Sequence, residues 1–184
     1  MSELTRRKLC GVVALLTSPM LGAQSAGADL WFESLTQEQG RHRFKFWGFE
    51  VYDAVLRAGP GFEPLTYERH PMALALTYAR TFKGADIARR SIEEIERQLA
   101  LEPNLRSRWL SQMSAIFPDV EAGDTLLGAY RPGQKLQFWR RGTQWQWVGE
   151  LSDPELARRF MGIWLAPQTS QVAMRAALLG LAPR

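Results

Sequence analysis

One cysteine, Cys10, and two histidines, His42 and His70, are all that the 184 residues contain of either type. A lone thiol excludes a disulfide framework, and two imidazoles exclude a His-rich metal site. The common catalytic signatures are missing as well. There is no Gly-x-Ser-x-Gly elbow, no Gly-x-x-x-x-Gly-Lys phosphate loop and no His-Glu-x-x-His pair. With no cofactor fingerprint, no cofactor is expected. A large excess of one charge is absent too, since 23 basic residues face 19 acidic ones. Arg89-Arg90, Arg106 and Arg108, Arg140-Arg141 and Arg158-Arg159 are scattered among acids. That pattern excludes a nucleic-acid partner. What remains is the composition of one globular domain, 46% hydrophobic and 23% charged, with seven tryptophans that need a core or a groove.

Residues Met1 to Ala28 read as an export signal. A basic start, Arg6-Arg7-Lys8, precedes the apolar run Leu9 to Leu16 and the small residues Ala26-Gly27-Ala28. The run falls short of the roughly 20 residues of a bilayer span, so removal is expected rather than anchoring. Thr5-Arg6-Arg7-Lys8-Leu9 also resembles the twin-arginine export motif. Cleavage before Asp29 removes three basic residues and one acidic residue. It leaves 156 residues of net charge +2, without cysteine and without a stable membrane span. The expected compartment is the periplasm.

Within this single domain (29–184), Arg41 to Leu56 is rich in aromatic and β-branched residues. Phe44 and Phe46 share one face, while Trp47, Phe49 and Val51 share the other. The phase switch at Gly48 predicts a bulge or bend, giving two short strands or one kinked strand. Met72 to Arg80 alternates strictly, with Met72, Leu74, Leu76 and Tyr78 opposite Ala73, Ala75, Thr77 and Ala79. The small face is where a helix, or a flat ligand, is expected to approach. Ala88, Ile92, Ile95 and Leu99 then recur at helical spacing, followed by Leu105, Trp109, Met113 and Ile116. Three strands are predicted at Thr125 to Tyr130, Lys135 to Trp139 and Gln144 to Val148. Pairing Trp139 with Gln144 puts Leu136, Phe138, Trp145 and Trp147 on one face. Ser152-Asp153-Pro154-Glu155 reads as a capping box with Ser152 as the cap. A helix with Leu156, Phe160, Ile163 and Trp164 on its stripe follows, then a last helix from Thr169 or Ser170 to Leu179. The fold class expected is α+β, an antiparallel sheet with helices on one face.

Candidate chemistry is sparse. His42 and His70 fit solvated strand or loop positions. Asp119, Glu121 and Asp124 crowd one loop but lack calcium-loop spacing, so that loop reads as structural and no metal is assigned. Arg41 and Arg43 precede an aromatic strand, where an arginine can hold a carboxylate while apolar neighbours hold its tail. The structural reading beside it is an Asp53–Arg80 ion pair closing the sheet, or plain surface charge.

The element order and several phrases resemble the chalcone isomerase-like family, its exported bacterial branch in particular. They are Trp47-Gly48-Phe49-Glu50-Val51-Tyr52-Asp53-Ala54, Leu76-Thr77-Tyr78-Ala79-Arg80, Phe117-Pro118-Asp119-Val120 with Gly123-Asp124, Phe160-Met161-Gly162-Ile163-Trp164-Leu165, and Arg175 to Gly180 after Thr169-Ser170. The resemblance implies helices on one side of a large antiparallel sheet with a cleft between them. Plant enzymes of the family close a flavanone ring, whereas non-enzymatic members bind fatty acids. In both, an arginine near the first long strand holds an anionic group, and Arg41 or Arg43 is its match. The family's helix tyrosine falls near Ile87, which can neither donate a hydrogen bond nor polarise a carbonyl. A strand threonine of the plant enzymes aligns with Tyr52, and a helix lysine with Arg90. No catalytic residue is therefore assigned. The ligand-binding candidates are Arg41, Arg43, Trp47, Tyr52 and Arg90. The expected function is non-catalytic binding of a small apolar or amphipathic molecule such as a fatty acid. An intramolecular lyase with an altered site, and a structural or interaction protein of the cell envelope, are the alternatives.

Overall fold

The computed structural model describes residues 30–181, and the export signal read over residues 1–28, with Cys10, lies outside them. Gln37–Phe46 (β1) and Phe49–Ala58 (β2) form a hairpin around Trp47 and Gly48, whose φ values are 51° and 82°. A two-residue turn with both φ positive matches the twist of its strands, and it is normally filled by Asn-Gly rather than by a bulky side chain. Trp47 thus carries left-handed strain of roughly 1–2 kcal/mol. Of the bulge or bend expected at Gly48, the structure shows the bend, a tight turn that separates two strands. The register shifts twice, at Gln39, where pairing passes from Glu38–Arg57 to Gly40–Leu56, and at Val51, where it passes from Phe44–Tyr52 to Lys45–Glu50.

Met72–Tyr78 (β3), Thr125–Tyr130 (β4), Leu136–Arg141 (β5) and Trp145–Leu151 (β6) complete a six-stranded antiparallel sheet in the order β1-β2-β3-β4-β5-β6. Gly84–Glu96 (α1) and Pro103–Ile116 (α2) lie between β3 and β4, and Pro154–Leu165 (α3) and Val172–Leu178 (α4) follow β6. All four helices pack on one sheet face, burying Leu56, Leu74, Leu76, Leu126 and Phe138 against Ile92, Trp109, Met113, Phe160 and Met174. This is the α+β architecture expected.

Alternation put the right side chains together, but the helices chose the other face of β3. Large apolar groups gain more from burial than alanines do. Met72, Leu74, Leu76 and Tyr78 therefore face the helices. Ala73 faces a second, smaller cluster with Phe32, Leu35, Leu127, Ala129 and Trp139, with Ala75 packed against it. The β5–β6 register also departs from expectation. Trp139 pairs with Trp147 and Arg141 with Trp145, across an irregularity at Phe138. Trp145 and Trp139 consequently join Phe32 on the second face, while Leu136 and Phe138 belong to the main core.

The cap of α3 is Asp153 rather than Ser152. Its carboxylate accepts from the Glu155 and Leu156 amides at 2.9 and 3.3 Å. Its other oxygen accepts from Trp109 Nε1 at 2.9 Å, tying α2 to the start of α3. At the other margin, a Cβ on Gly40 would stand 1.9 Å from the Ala177 carbonyl oxygen, so only glycine lets α4 lie this close over β1.

Candidate functional site

The helices do not fill the space over the sheet. A cavity of about 530 Å³ remains between α1, α3 and strands β1 to β5. That lies within the ~300–1,000 Å³ usual for small-molecule sites. Leu74, Leu76, Leu126 and Phe138 form its floor, and Phe160, Met161, Ile163 and Trp164 its roof. Two sequence features keep it open. Gly128 puts no side chain on the floor, where a Cβ would make only ordinary contact, 3.4 Å from the Phe138 ring and 3.6 Å from Leu136. Ser91 is the small residue of α1 at this wall, its hydroxyl donating to its own helix at the Ile87 carbonyl, 2.8 Å away. Behind them Phe117, Phe138, Phe160 and Trp164 stack in edge and tilted contacts with centroids 5.1–5.7 Å apart, which holds the roof rigidly.

Two of the polar groups inside are phenols. Tyr52 accepts a hydrogen bond from Trp164 Nε1 at 2.9 Å. Tyr78 packs edge-on against it, 6.1 Å between ring centroids, and its hydroxyl has no hydrogen-bond partner among the described residues. Burial pushes the Tyr52 phenol up to about 12, partly offset by the Trp164 bond, and it raises Tyr78 as well. Both are neutral donors across the physiological range. A phenol that keeps its proton longer when folded than its ordinary value near 10 costs stability once the unfolded chain begins to ionise. Stability is thus expected to hold up to about pH 10 and to fall steeply between 10 and 12. Near-UV circular dichroism should vanish together with the rise of phenolate absorbance. Ionisation of Tyr52 and Tyr78 in a chain that keeps its native dichroism would contradict their burial.

The rim is charged, with two cations, Arg89 and Arg90, against three carboxylates, Asp86, Glu93 and Glu94. Arg89 pairs with Asp86 at 2.7 Å, and Arg90 bridges Glu93 at 3.4 Å and the buried Glu94. Glu94 also accepts from Ser170 Oγ at 2.8 Å, so its charge is answered from α1 and from the segment before α4.

Of the five candidates, the structure brings Tyr52 and Arg90 to the cavity and leaves Arg41, Arg43 and Trp47 away from it. Phe44 and Phe46 point at the cavity, so alternation along β1 turns Arg41 and Arg43 to the opposite face. There Arg41 pairs with Glu38 at 2.7 Å, and Arg43 holds Asp53 through two bonds of 2.7 and 2.9 Å. Asp53 therefore belongs to Arg43 rather than to Arg80. Trp47 sits at the hairpin tip, 87% exposed. Ile87, near which the family resemblance puts a helix tyrosine, does line the cavity. Tyr78, Trp164 and Glu94 were not singled out from the sequence. Tyr78 announced itself only as a hydroxyl at the end of the apolar row Met72, Leu74, Leu76. The acidic loop is internally committed: Asp119 accepts from Lys83 and the Gly84 amide, and Asp124 from Arg140 and the Glu121 amide.

The sequence profile of the family described as chalcone isomerase-like matches residues 61–180. An uncharacterized protein of Haemophilus influenzae is 32% identical over 137 residues, which is 73% of this chain and 63% of that protein, so the chain spans less than two thirds of that relative's length. Among solved structures, a fatty-acid binding protein of Arabidopsis thaliana superposes with a TM-score of 0.59 at 12% identity, covering 78% of this chain and 86% of that one. At that identity the likeness speaks for the fold alone. Sheet order, one-sided helices and the profile match over most of the described residues agree, and the chain belongs to the chalcone isomerase-like family.

Proposed function

We propose that the protein binds a small apolar or amphipathic molecule, such as a fatty acid, in the cavity under α1 and α3 and does not transform it. The observation that carries this reading is an open, largely apolar cavity of about 530 Å³ containing an unpartnered phenol. A purely structural protein would be expected to fill that space, because an empty cavity forfeits packing energy. The apolar body of the ligand lies along Leu74, Leu76 and Phe138. Tyr78 and Tyr52 donate to its acceptor oxygen, while Arg90 at the rim is already bridged to Glu93 and Glu94. The fatty-acid binding of the Arabidopsis relative in fold agrees with such a ligand. Ile87 offers no proton, which favours binding over ring closure. Export through the signal at residues 1–28 would place this activity in the periplasm.

The test is native mass spectrometry of the protein taken directly from cells, followed by titration with fatty acids of increasing length and with phenolic compounds. A co-purifying apolar molecule is expected, and Tyr78→Phe should weaken its binding about fivefold, one hydrogen bond of about 1 kcal/mol. Absence of any bound molecule and of any binding across the panel would sink the reading. Conversion of a chalcone to its flavanone would move it to an intramolecular lyase.

A further inference from the structure

The tip of the β1–β2 hairpin holds three large apolar side chains in water: Phe46, Trp47 and Phe49 are 56, 87 and 61% exposed. We propose that this tip docks the protein onto a lipid bilayer bearing anionic headgroups, beside the entrance of the cavity. Four observations converge on it. Three of the seven exposed large hydrophobic residues among the described ones fall within four positions. Such clustering marks an interaction site rather than scattered surface. Aromatic residues, tryptophan foremost, are the side chains that settle at the headgroup level of a bilayer.

The backbone makes the same point. Trp47 occupies a left-handed turn position that Asn or Gly fills more easily, and its ring gains little from the fold, touching Phe46 at 6.0 Å. Neither local conformation nor core packing calls for a tryptophan there. Strain of this kind points to a role outside the fold itself.

Charge selects the partner. Arg80 lies over the Phe49 ring, 4.9 Å from its centroid, with no acidic partner among the described residues. Arg43 and Lys45 share Glu50, and Asp53 takes the rest of Arg43. Three cations against two carboxylates leave the collar of the tip positive, which suits anionic headgroups. A second protein copy is the weaker fit. A stable interface needs about 800 Å² from each partner, more than a two-residue turn and its flanking rings offer.

Position supplies the fourth argument. Phe46 is at once part of the tip and part of the cavity wall, beside Val51 and Tyr52. A tip seated in the headgroups would bring that wall to the bilayer. An apolar molecule could then pass between the two along Phe46 without crossing bulk water.

Vesicle flotation of the protein as recovered from cells after export, without added ligand, tests docking independently of what the cavity binds. The vesicles are phosphatidylcholine alone, or phosphatidylcholine with phosphatidylglycerol. The wild type is expected to float with the mixed vesicles several-fold more than with phosphatidylcholine alone. Trp47→Asn combined with Phe49→Ser, both exposed positions, should lose at least tenfold while unfolding at a similar temperature. Arg80→Glu should abolish the preference for phosphatidylglycerol. The proposal is overturned if the wild type stays unbound with both vesicles, or if the double variant floats as well as the wild type. It is equally overturned if sedimentation shows a wild-type dimer that the double variant dissolves, because the tip then serves a second copy.

Discussion

Gly128→Phe is expected to abolish most ligand binding while making the empty protein more stable. The position lies on β4 under the middle of the cavity, and the nearest atoms to a new Cβ are side-chain carbons at 3.4 Å or more. The new Cβ therefore meets only side-chain carbons, and the ring beyond it is directed at the cavity that Gly128 lines. It displaces about three methylenes of a bound chain, at ~0.8 kcal/mol each, which amounts to roughly a fiftyfold loss of affinity. The same ring fills an apolar void and replaces a strand glycine, so unfolding of the ligand-free chain should shift up by about 1–2 kcal/mol. Opposite signs in the two measurements separate a blocked site from a damaged fold. Unchanged affinity in a stabilised variant would place the ligand elsewhere.

Gly84→Ala acts on the frame of the site. A Cβ on Gly84 would stand 2.0 Å from the Phe117 carbonyl oxygen and 2.7 Å from its carbon, both main-chain atoms that cannot rotate away. The Gly84 amide also donates to Asp119 at 2.9 Å, so the start of α1 is pinned against the end of α2 from two directions. Relief requires α1 to move, at a cost of about 3 kcal/mol. Denaturant titration should show that loss, while Gly142→Ala, with no atom within 4 Å of its new Cβ, should stay within about 0.5 kcal/mol of wild type. Equal behaviour of the two variants would mean that the α1–α2 contact is looser than described. Because Arg90, Ser91 and Glu94 ride on α1, Gly84→Ala is also expected to weaken ligand binding.

The elements were legible in the sequence because period and punctuation are local. The strand read over Met72 to Arg80 is observed over Met72–Tyr78 for that reason, whereas the stripe read from Ala88 to Leu99 overruns α1, which ends at Glu96. The faces were legible in part. Phe44 and Phe46 sit one residue out of step with Arg41 and Arg43, so alternation alone could have shown that the arginines and the aromatic wall are on opposite sides. Arg41 and Arg43, the matches that the resemblance implies for an anion-holding arginine, both lie on the far side from the cavity. Pro154 at the first position of α3 likewise points to Asp153 as the cap, since proline is at home just inside a helix start. Other features are not local. The β5–β6 register turns on a one-residue irregularity, and an empty volume exists only once α1, α3 and the sheet are assembled. The importance of Tyr78 follows from what fails to reach its hydroxyl, which no spacing encodes.

The strands pair strictly in chain order, and α3, which supplies Phe160, Met161 and Trp164, comes after all six. During synthesis the hairpins can zip up one after another as they emerge, since each strand needs only its predecessor. The floor of Leu74, Leu76 and Phe138 nevertheless stays uncovered on that side until residues 154–165 have left the ribosome. A nascent chain of this protein therefore passes through a late interval with a finished sheet and a bare apolar surface. In that interval it depends most on being shielded from its neighbours.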